Sequence, residues 1–468
     1  MGAYPDTIGT VVTPGDTRYE RARRLWNERF DYRPRAVVLP GDSHETAAAL
    51  RYVRERGIPF RIRSGGHNSE GFSGLDDGIV IDVSRLGALA VYGDRTRATL
   101  GPGVLLGEAY AALWALGGTI PAGVCPDIRI GGHVLGGGIG MLVRSRGLLI
   151  DHLVALTLID ARGEELTVDA DHHPDLLWAS RGGGGGNFGI VTSYTFAMRP
   201  IGDVTLFTLE WDARDGIAAL DAWQHWLSQA DPRVNSRFNL FPASADRALA
   251  TGLFEGGERE LTALLRPLTN ACRPRATSVR ALPYGDSIGT WTEQVPSVRA
   301  KFTPALAEGP LGAEALRTLG RRHEKAPPGV KTGLYGLGGA VLADVPPDHS
   351  AFAHRAAFLC VEYLGHWSDP GSDAEHLDWL SGTRAEMLPF MTGGAYVNSP
   401  DLDLENWLHA YYGDGLPRLM EVKRRYDPHG LFTFEQSIPT ALTRAQARAA
   451  RLPGPVVADL HARGLLTD

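Results

Sequence analysis

Between Gly123 and Gly140, seven of eighteen residues are glycine. Such a run predicts neither a good helix nor a central strand, because glycine costs about 1 kcal/mol relative to alanine in a helix and offers a sheet no side chain to pack. Two other segments share this character. Arg63-Ser64-Gly65-Gly66-His67-Asn68-Ser69-Glu70-Gly71 follows a strand-like run, and Arg181 is followed by five consecutive glycines, Asn187, and the apolar Phe188-Gly189-Ile190-Val191. Glycine makes up 57 of 468 residues, and the excess is bunched rather than spread as a repeat. The bunching predicts local backbone demands: positive φ, and close approach of amides to a flat or phosphorylated ligand. Neither of the simpler nucleotide signatures fits the first segment. It lacks the Lys-Ser/Thr of a Walker loop, and no helix opens after it as a dinucleotide fingerprint requires.

Composition narrows the classes further. A net charge of −7 gives no electrostatic case for nucleic acid or a membrane surface. Three cysteines, Cys125, Cys272 and Cys360, do not make a disulfide framework. Cys125 differs from the other two in preceding a proline in a turn, whereas a lone cysteine is ordinarily a small core hydrophobe. The start of the chain shows no basic region followed by an apolar run, and no apolar stretch has the length of a membrane span, so a reduced, cytoplasmic setting is expected. His133, His152, His172 and His173 have no zinc-ligand spacing with cysteine, so no metal is expected. No Gly-x-Ser-x-Gly elbow marks a hydrolase.

The chain changes texture near residue 200. Up to there it reads as strands alternating with helices: a strand over Ala36–Leu39, a helix opened by Asp42 and Glu45 at capping-box spacing and closed at Gly57, a strand over Pro59–Arg63, and another over Ile79–Val83. A helix spans Leu105–Leu116, and Leu153–Asp160 with Glu165–Val168 forms a hairpin. Beyond Ile201, strand-like runs at Val204–Glu210, Arg237–Phe241 and Ala248–Phe254 mix with helices at Gly216–Ser228 and Glu260–Leu268. This pattern predicts an antiparallel sheet with helices on one face. A helix over Pro417–Arg425 precedes Asp427-Pro428, and Leu442–Asp468 reads as an Ala/Arg-rich helical tail.

The three glycine segments, in this order and spacing, resemble the berberine-bridge-enzyme-like family of FAD-linked oxidoreductases, within the wider vanillyl-alcohol-oxidase (PCMH-type) flavin fold. The similarity runs from about Arg35 to Pro200 and resumes from Gly394 to Pro439, with Tyr396-Val397-Asn398, Tyr411-Tyr412-Gly413, Arg418-Leu419, Lys423, Tyr426-Asp427-Pro428 and Gln436-Ser437-Ile438. The resemblance implies a two-domain α+β fold. FAD-binding parts would occupy residues 1–200 and 394–440, an antiparallel-sheet substrate domain 201–393, and a helical tail 441–468. It implies FAD bound through two covalent links, from His67 to the 8-methyl carbon of the isoalloxazine and from Cys125 to its 6-position.

On the same basis the cofactor would touch Arg63, Ser64, Gly65, Gly66, Asn68 and Gly71 of the first segment. In the second it would touch Gly123, Gly131, Gly132, His133, Gly136, Gly137, Gly138 and Gly140. Gly186, Asn187, Gly189 and Ile190 follow from the third, and Tyr396 and Asn398 from the return segment.

Hydride transfer needs a base for the accompanying proton. Tyr396 matches the first tyrosine of the family's Tyr-x-Asn-Tyr pattern, but Ser399 stands where members often carry the second. Glu362 is the other candidate base. It lies in the strand Phe358–Leu364, where a one-residue slip would turn it to the wrong face. Ile139 replaces a tyrosine of several sugar-oxidising members, which points away from a sugar. Ile128, three residues after Cys125, is bulkier than the residue that leaves room for oxygen beside the ring. The expected activity is oxidation of a small organic substrate, of secondary-metabolite type, with reoxidation by molecular oxygen and release of H2O2. The alternatives are a dehydrogenase using another acceptor and a flavin-bearing protein that binds or sequesters a metabolite.

Overall fold

The computed structural model describes residues 4–468 apart from 293, 295, 340–344 and 347. The N-terminal sheet has four strands in the order Thr10–Val12, Ala36–Leu39, Ile79–Asp82, Phe60–Arg63. Ala36–Leu39 and Phe60–Arg63 both run parallel to the Ile79–Asp82 strand between them. Ala36-Val37-Val38 and Ile79-Val80-Ile81 are buried on both faces, as a continuous apolar run in a covered parallel sheet should be. The helix Ser43–Glu55 covers one side. Asp42 caps it by accepting the Glu45 N–H at 2.8 Å, while the Glu45 carboxylate takes the Gly41 N–H at 2.7 Å rather than the Asp42 amide of a strict capping box. The strand Phe60–Arg63 runs straight into Ser64–Gly71. The first glycine segment therefore emerges at the carboxyl edge of parallel strands, where α/β sheets bind ligands.

The second sheet corrects the expectation of simple strand–helix alternation. Leu89–Val91, Arg97–Leu100, Ile190–Ala197, Leu153–Ile159 and Glu165–Val168 pair in that order, all antiparallel, and the last two form the hairpin read from sequence. The second glycine segment is also corrected. It contains a short α-helix, Ile130–Leu135. Burial of Ile130, Val134 and Leu135 stabilises it, and Gly131 sits where a Cβ would stand 2.8 Å from Pro102 Cβ. Tertiary packing here overrides glycine's poor helix propensity.

Residues 203–367 supply a seven-stranded antiparallel sheet in the order Ala276–Pro283, Asp203–Trp211, Ala248–Phe254, Val234–Leu240, Val330–Gly336, Leu359–Trp367, Arg299–Ala307. Helices Gly216–Gln229, Glu258–Ala271, Ala313–Glu324 and Asp373–Met387 cover one face, over a core that includes Trp223, Phe238, Leu319, Tyr363 and Trp379. From the other face Leu206, Leu253, Leu306 and Cys360 join the core of the N-terminal region. This sheet is thus a roof over the glycine loops.

The C-terminal segment is more than the expected helical tail. Two helices, Arg444–Ala449 and Gly454–Ala462, are separated at Pro453 and closed by a parallel bridge between Leu442–Thr443 and Leu466–Thr467. Leu460 and Leu465 are fully buried, against the helix Leu416–Tyr426. Among the described residues, no helix is long and apolar enough to cross a membrane.

Candidate active site

One cleft gathers the three glycine segments and the return segment. It encloses about 1410 Å³ including its mouth. Ser64, Gly65, Gly66, His67 and Asn68 line it from the first segment, and Gly131, Gly132 and His133 from the second. Gly186, Asn187 and Gly189 line it from the third, and Asn398, Tyr411, Tyr412 and Gln436 from the return. Glycines from all three segments contribute to its wall. A Cβ on Gly132 would meet nothing within 4 Å, and on Gly185 or Gly186 nothing nearer than 3.7 Å or 3.5 Å. Side chains there would project into the cleft, so the wall is shaped to let a ligand lie directly on peptide groups.

His67 is half-buried and stacks on Trp26, with ring centroids 5.6 Å apart and planes 18° from parallel. Burial lowers its pKa, with Arg129 acting in the same direction and Asp127 opposing. Asp127 Oδ1 is buried with no hydrogen-bond partner among the described residues. The imidazole is therefore held toward its neutral form, which keeps a ring lone pair for bonding. The loop around it is tied internally. Ser64 Oγ donates to Pro102 O at 2.7 Å, and Asn68 Oδ1 accepts the amides of Glu70 and Phe72 at 3.0 and 3.1 Å.

Cys125 does not itself line the cleft. It is half-buried at the start of a turn in which the Ile128 N–H donates to Cys125 O at 3.3 Å, and Ile128 and Arg129 form the cleft wall just beyond. None of the described cysteines is in a disulfide. His133 is half-buried and held neutral, its pKa pushed down to about 4 by desolvation, and its Nε2 accepts the Gly123 N–H at 3.0 Å.

The third segment is clamped from behind. Leu135 O accepts the amides of Gly182 and Gly184 at 3.0 and 2.9 Å, joining the second and third glycine runs. Asn187 Nδ2 donates to Gly183 O at 2.9 Å, and its Oδ1 accepts the Ile438 N–H at 2.9 Å. Lys423, fully buried, donates to Asn187 O, Phe432 O and Asp427 Oδ2 at 2.7, 2.6 and 2.7 Å.

Several residues expected at the cofactor do not line this cleft. Arg63 turns away and is buried in an ion pair with Asp82 at 2.6 Å, with its remaining guanidinium nitrogens on the carbonyls of Ala22 and Arg23. Ile190 belongs to the core beside Ile159 and Phe432, and its neighbour Val191 lines the cleft instead. Gly71 is packed against Phe30, whose ring would lie 2.7 Å from an added Cβ. Gly123, Gly136, Gly137, Gly138 and Gly140 do not line the cleft and pack protein against protein. Added Cβ atoms on Gly136 and Gly140 would fall 2.1 Å from Asn398 Oδ1 and 1.7 Å from Ala122 O.

The two candidate bases differ sharply. Tyr396 Oη accepts the Gly138 N–H and the Asn398 amide, both at 2.9 Å. Burial raises its pKa, partly offset by those two donors, which is the wrong direction for a base at neutral pH. Glu362 is opposite Gly333 on one neighbouring strand and Pro304 on the other. Its neighbours Val361 and Tyr363 enter the helix-side core, and Cys360 enters the core shared with the N-terminal region, so the pleat places Glu362 on the face toward the cleft region. Ser399 Oγ donates to its Oε1. The residue that replaces the family's second tyrosine is thus joined to the carboxylate.

Sequence reasoning missed Trp26, Glu70, Lys301 and Asp401. Trp26 shows no local signal, and the other three form a buried ionic cluster between distant segments.

Residues 34–169 match a family model described as the FAD binding domain, and residues 395–439 match one described as berberine and berberine like. The chain is 39% identical over 438 residues to YgaK of Bacillus subtilis (strain 168), an uncharacterized FAD-linked oxidoreductase, covering 92% of this chain and 97% of that one. It is 32% identical over 487 residues to the aclacinomycin-N/aclacinomycin-A oxidase of Streptomyces galilaeus, covering 90% and 88%. Among solved structures, BBE-like 1 of Physcomitrella patens matches with a TM-score of 0.86 at 27% identity, covering 92% and 96%.

Proposed function

This chain belongs to the berberine-bridge-enzyme-like family of FAD-linked oxidoreductases, and from that premise we propose that it oxidises a small organic substrate with FAD joined to both His67 and Cys125. The observation that carries the reading is the glycine-lined cleft in which the bare edge of Gly132 faces open space, and Gly185 and Gly186 meet no close neighbour, beside a His67 whose pKa is lowered by burial. FAD when bound supplies a hydride acceptor at its N5; the protein supplies placement and proton handling. His67 would hold the ring at its methyl edge, and Cys125, behind Ile128, would hold it at the adjacent position. The peptide groups of Gly131–Gly132 and Gly184–Gly186 would carry the rest of the cofactor.

Glu362 takes the substrate proton in this reading. Its carboxylate stands on the cleft-facing side of the roof, where Ser399 Oγ donates to its Oε1 and fixes the carboxylate's position. Tyr396 fixes the Gly138 turn and the Asn398 amide rather than accepting a proton. The relation to an aclacinomycin oxidase supports a secondary-metabolite substrate, with an alcohol or lactol oxidised and H2O2 released on reoxidation by oxygen. Ile128 in the cleft wall favours the second reading, a dehydrogenase that passes electrons to a quinone-like acceptor.

The test of the base is Glu362→Gln. Once a turnover substrate is in hand, kcat should fall by about 10²–10⁴-fold with FAD still bound. A fall under about threefold would return the proton to Tyr396 or to water.

A further inference from the structure

Three consecutive residues of the roof's edge strand, Ala300, Lys301 and Phe302, reach the loop that carries His67 by three different routes. Lys301 Nζ meets Glu70 Oε1 at 2.5 Å and Asp401 Oδ1 at 2.5 Å, with all three side chains almost fully buried. Glu70 is three residues beyond His67 on the same loop. Ala300 is reached through Asn27, which accepts the Ala300 N–H at 3.0 Å and donates to Ala300 O at 2.8 Å and to Ser69 O at 2.6 Å. Phe302 stacks on Trp26 at 5.9 Å, and Trp26 in turn stacks on His67 and donates its backbone N–H to Gly66 O at 3.0 Å.

The loop is therefore gripped on both sides of His67. Trp26 and the Gly66 carbonyl hold the approach, and Ser69 and Glu70 hold the exit. Every grip ends on the roof strand. Asp401 extends the cluster to the return segment. Its N–H donates to Tyr411 Oη at 2.9 Å, and its carbonyl accepts from Gln436 Nε2 at 2.8 Å. Tyr411 and Gln436 both line the cleft.

We infer that Lys301 is a positioning residue that sets the His67 loop against the flavin, so that the histidine–flavin bond depends on the substrate-side sheet and not on the flavin domain alone. The inference rests on the His67 linkage proposed above. In net terms, that linkage replaces one C–H of the ring's methyl group and one imidazole N–H by a single N–C bond. Two protons leave, and two electrons pass to an external acceptor of the dioxygen or quinone class. Such a bond forms only when nitrogen and carbon are held at contact, and a misplacement of about 1 Å costs on the order of 10²-fold in rate. Removing the Lys301 ammonium leaves Glu70 and Asp401 buried side by side with less counter-charge, Arg29 lying 3.9 Å from Glu70, so the loop's exit must move.

The test uses the full-length protein with FAD, in a Cys125→Ala background where only the His67 bond can retain flavin. The quantity read is flavin remaining with the acid-denatured chain divided by total FAD bound before denaturation. Unfolded molecules bind no FAD and drop out of both terms, so general loss of stability does not move the ratio. Cys125→Ala alone should give a ratio near one, whereas a ratio near zero would refute the His67 linkage and this inference with it. Adding Lys301→Met should lower the ratio about tenfold or more, and Lys301→Arg should recover at least half. An unchanged ratio with Lys301→Met overturns the positioning role while leaving the linkage standing. If Lys301→Met yields no folded protein, Glu70→Gln carries the same test, with a fall of about threefold expected and an unchanged ratio overturning the inference.

Discussion

Glycines 132 and 140 lie eight residues apart in one glycine-rich run and serve opposite purposes. Around Gly132 there is nothing within 4 Å of an added Cβ, while at Gly140 that Cβ would sit 1.7 Å from the Ala122 carbonyl oxygen. The first leaves space for something that is not protein. The second lets two stretches of protein touch. The same division separates Gly185 and Gly186, which face the cleft, from Gly136 and Gly123, which press on Asn398 and His133. A glycine run therefore marks crowding, and only the structure says whether the crowding partner is a ligand or the chain itself.

The largest effect that can break this comparison is Gly140→Ala. Overpacking ordinarily costs about 1–3 kcal/mol, and a clash with backbone rather than a flexible side chain should exceed that. The expected outcome is little folded protein, or a loss of more than about 3 kcal/mol by denaturant unfolding. Gly132→Ala sharpens the contrast. Alanine is favoured over glycine in the helix Ile130–Leu135, so the FAD-free protein should melt at the same temperature or higher, while FAD affinity falls about tenfold or more. Equal losses of stability in both variants would mean that the two glycines do the same work.

A smaller effect concerns the contact that closes this run. His133 accepts the Gly123 amide only while neutral, and its folded pKa is about 4 against the ordinary 6.5. The unfolded chain takes up its proton first as pH drops, so this part of the stability is intact above about 6.5 and lost progressively down to about 4. His323 and His354, also pushed down to about 4 by burial, act in the same window. Replacing His133 with Gln should lower the slope of unfolding free energy against pH by up to about one proton's worth, seen by denaturant titrations at a series of pH values. The smallest effect is expected from Ile128→Val, which should speed reoxidation of the reduced protein by oxygen a few-fold in stopped flow. No change would remove Ile128 from the oxygen path.

Much of the flavin region was legible because its demands are local. Asp42 capping its helix, the strand running into Ser64, the Leu153–Val168 hairpin and the three glycine segments each show themselves within a dozen residues. The helix Ile130–Leu135 was not legible, because burial of Ile130 and Val134 outweighs the glycine content that argued against it. The direction of Glu362 was undecidable from a strand in which one residue's slip inverts every side chain, and only the separate cores that Val361 and Tyr363, and Cys360, join fix it. Arg63 read as a cofactor residue by its place in a motif, yet Asp82, nineteen residues on, takes it. Lys301 and Glu70 stand 231 residues apart, and nothing in either neighbourhood announces the other.

The central claim is that this cleft holds FAD by two bonds. Acid precipitation of the purified protein, followed by flavin fluorescence of the pellet, tests it most directly, with His67→Ala, Cys125→Ala and the double variant alongside. The account predicts a yellow, fluorescent pellet for wild type and for each single variant, and a colourless pellet for the double variant. Free FAD in the wild-type supernatant, with an unlabelled pellet, would contradict it.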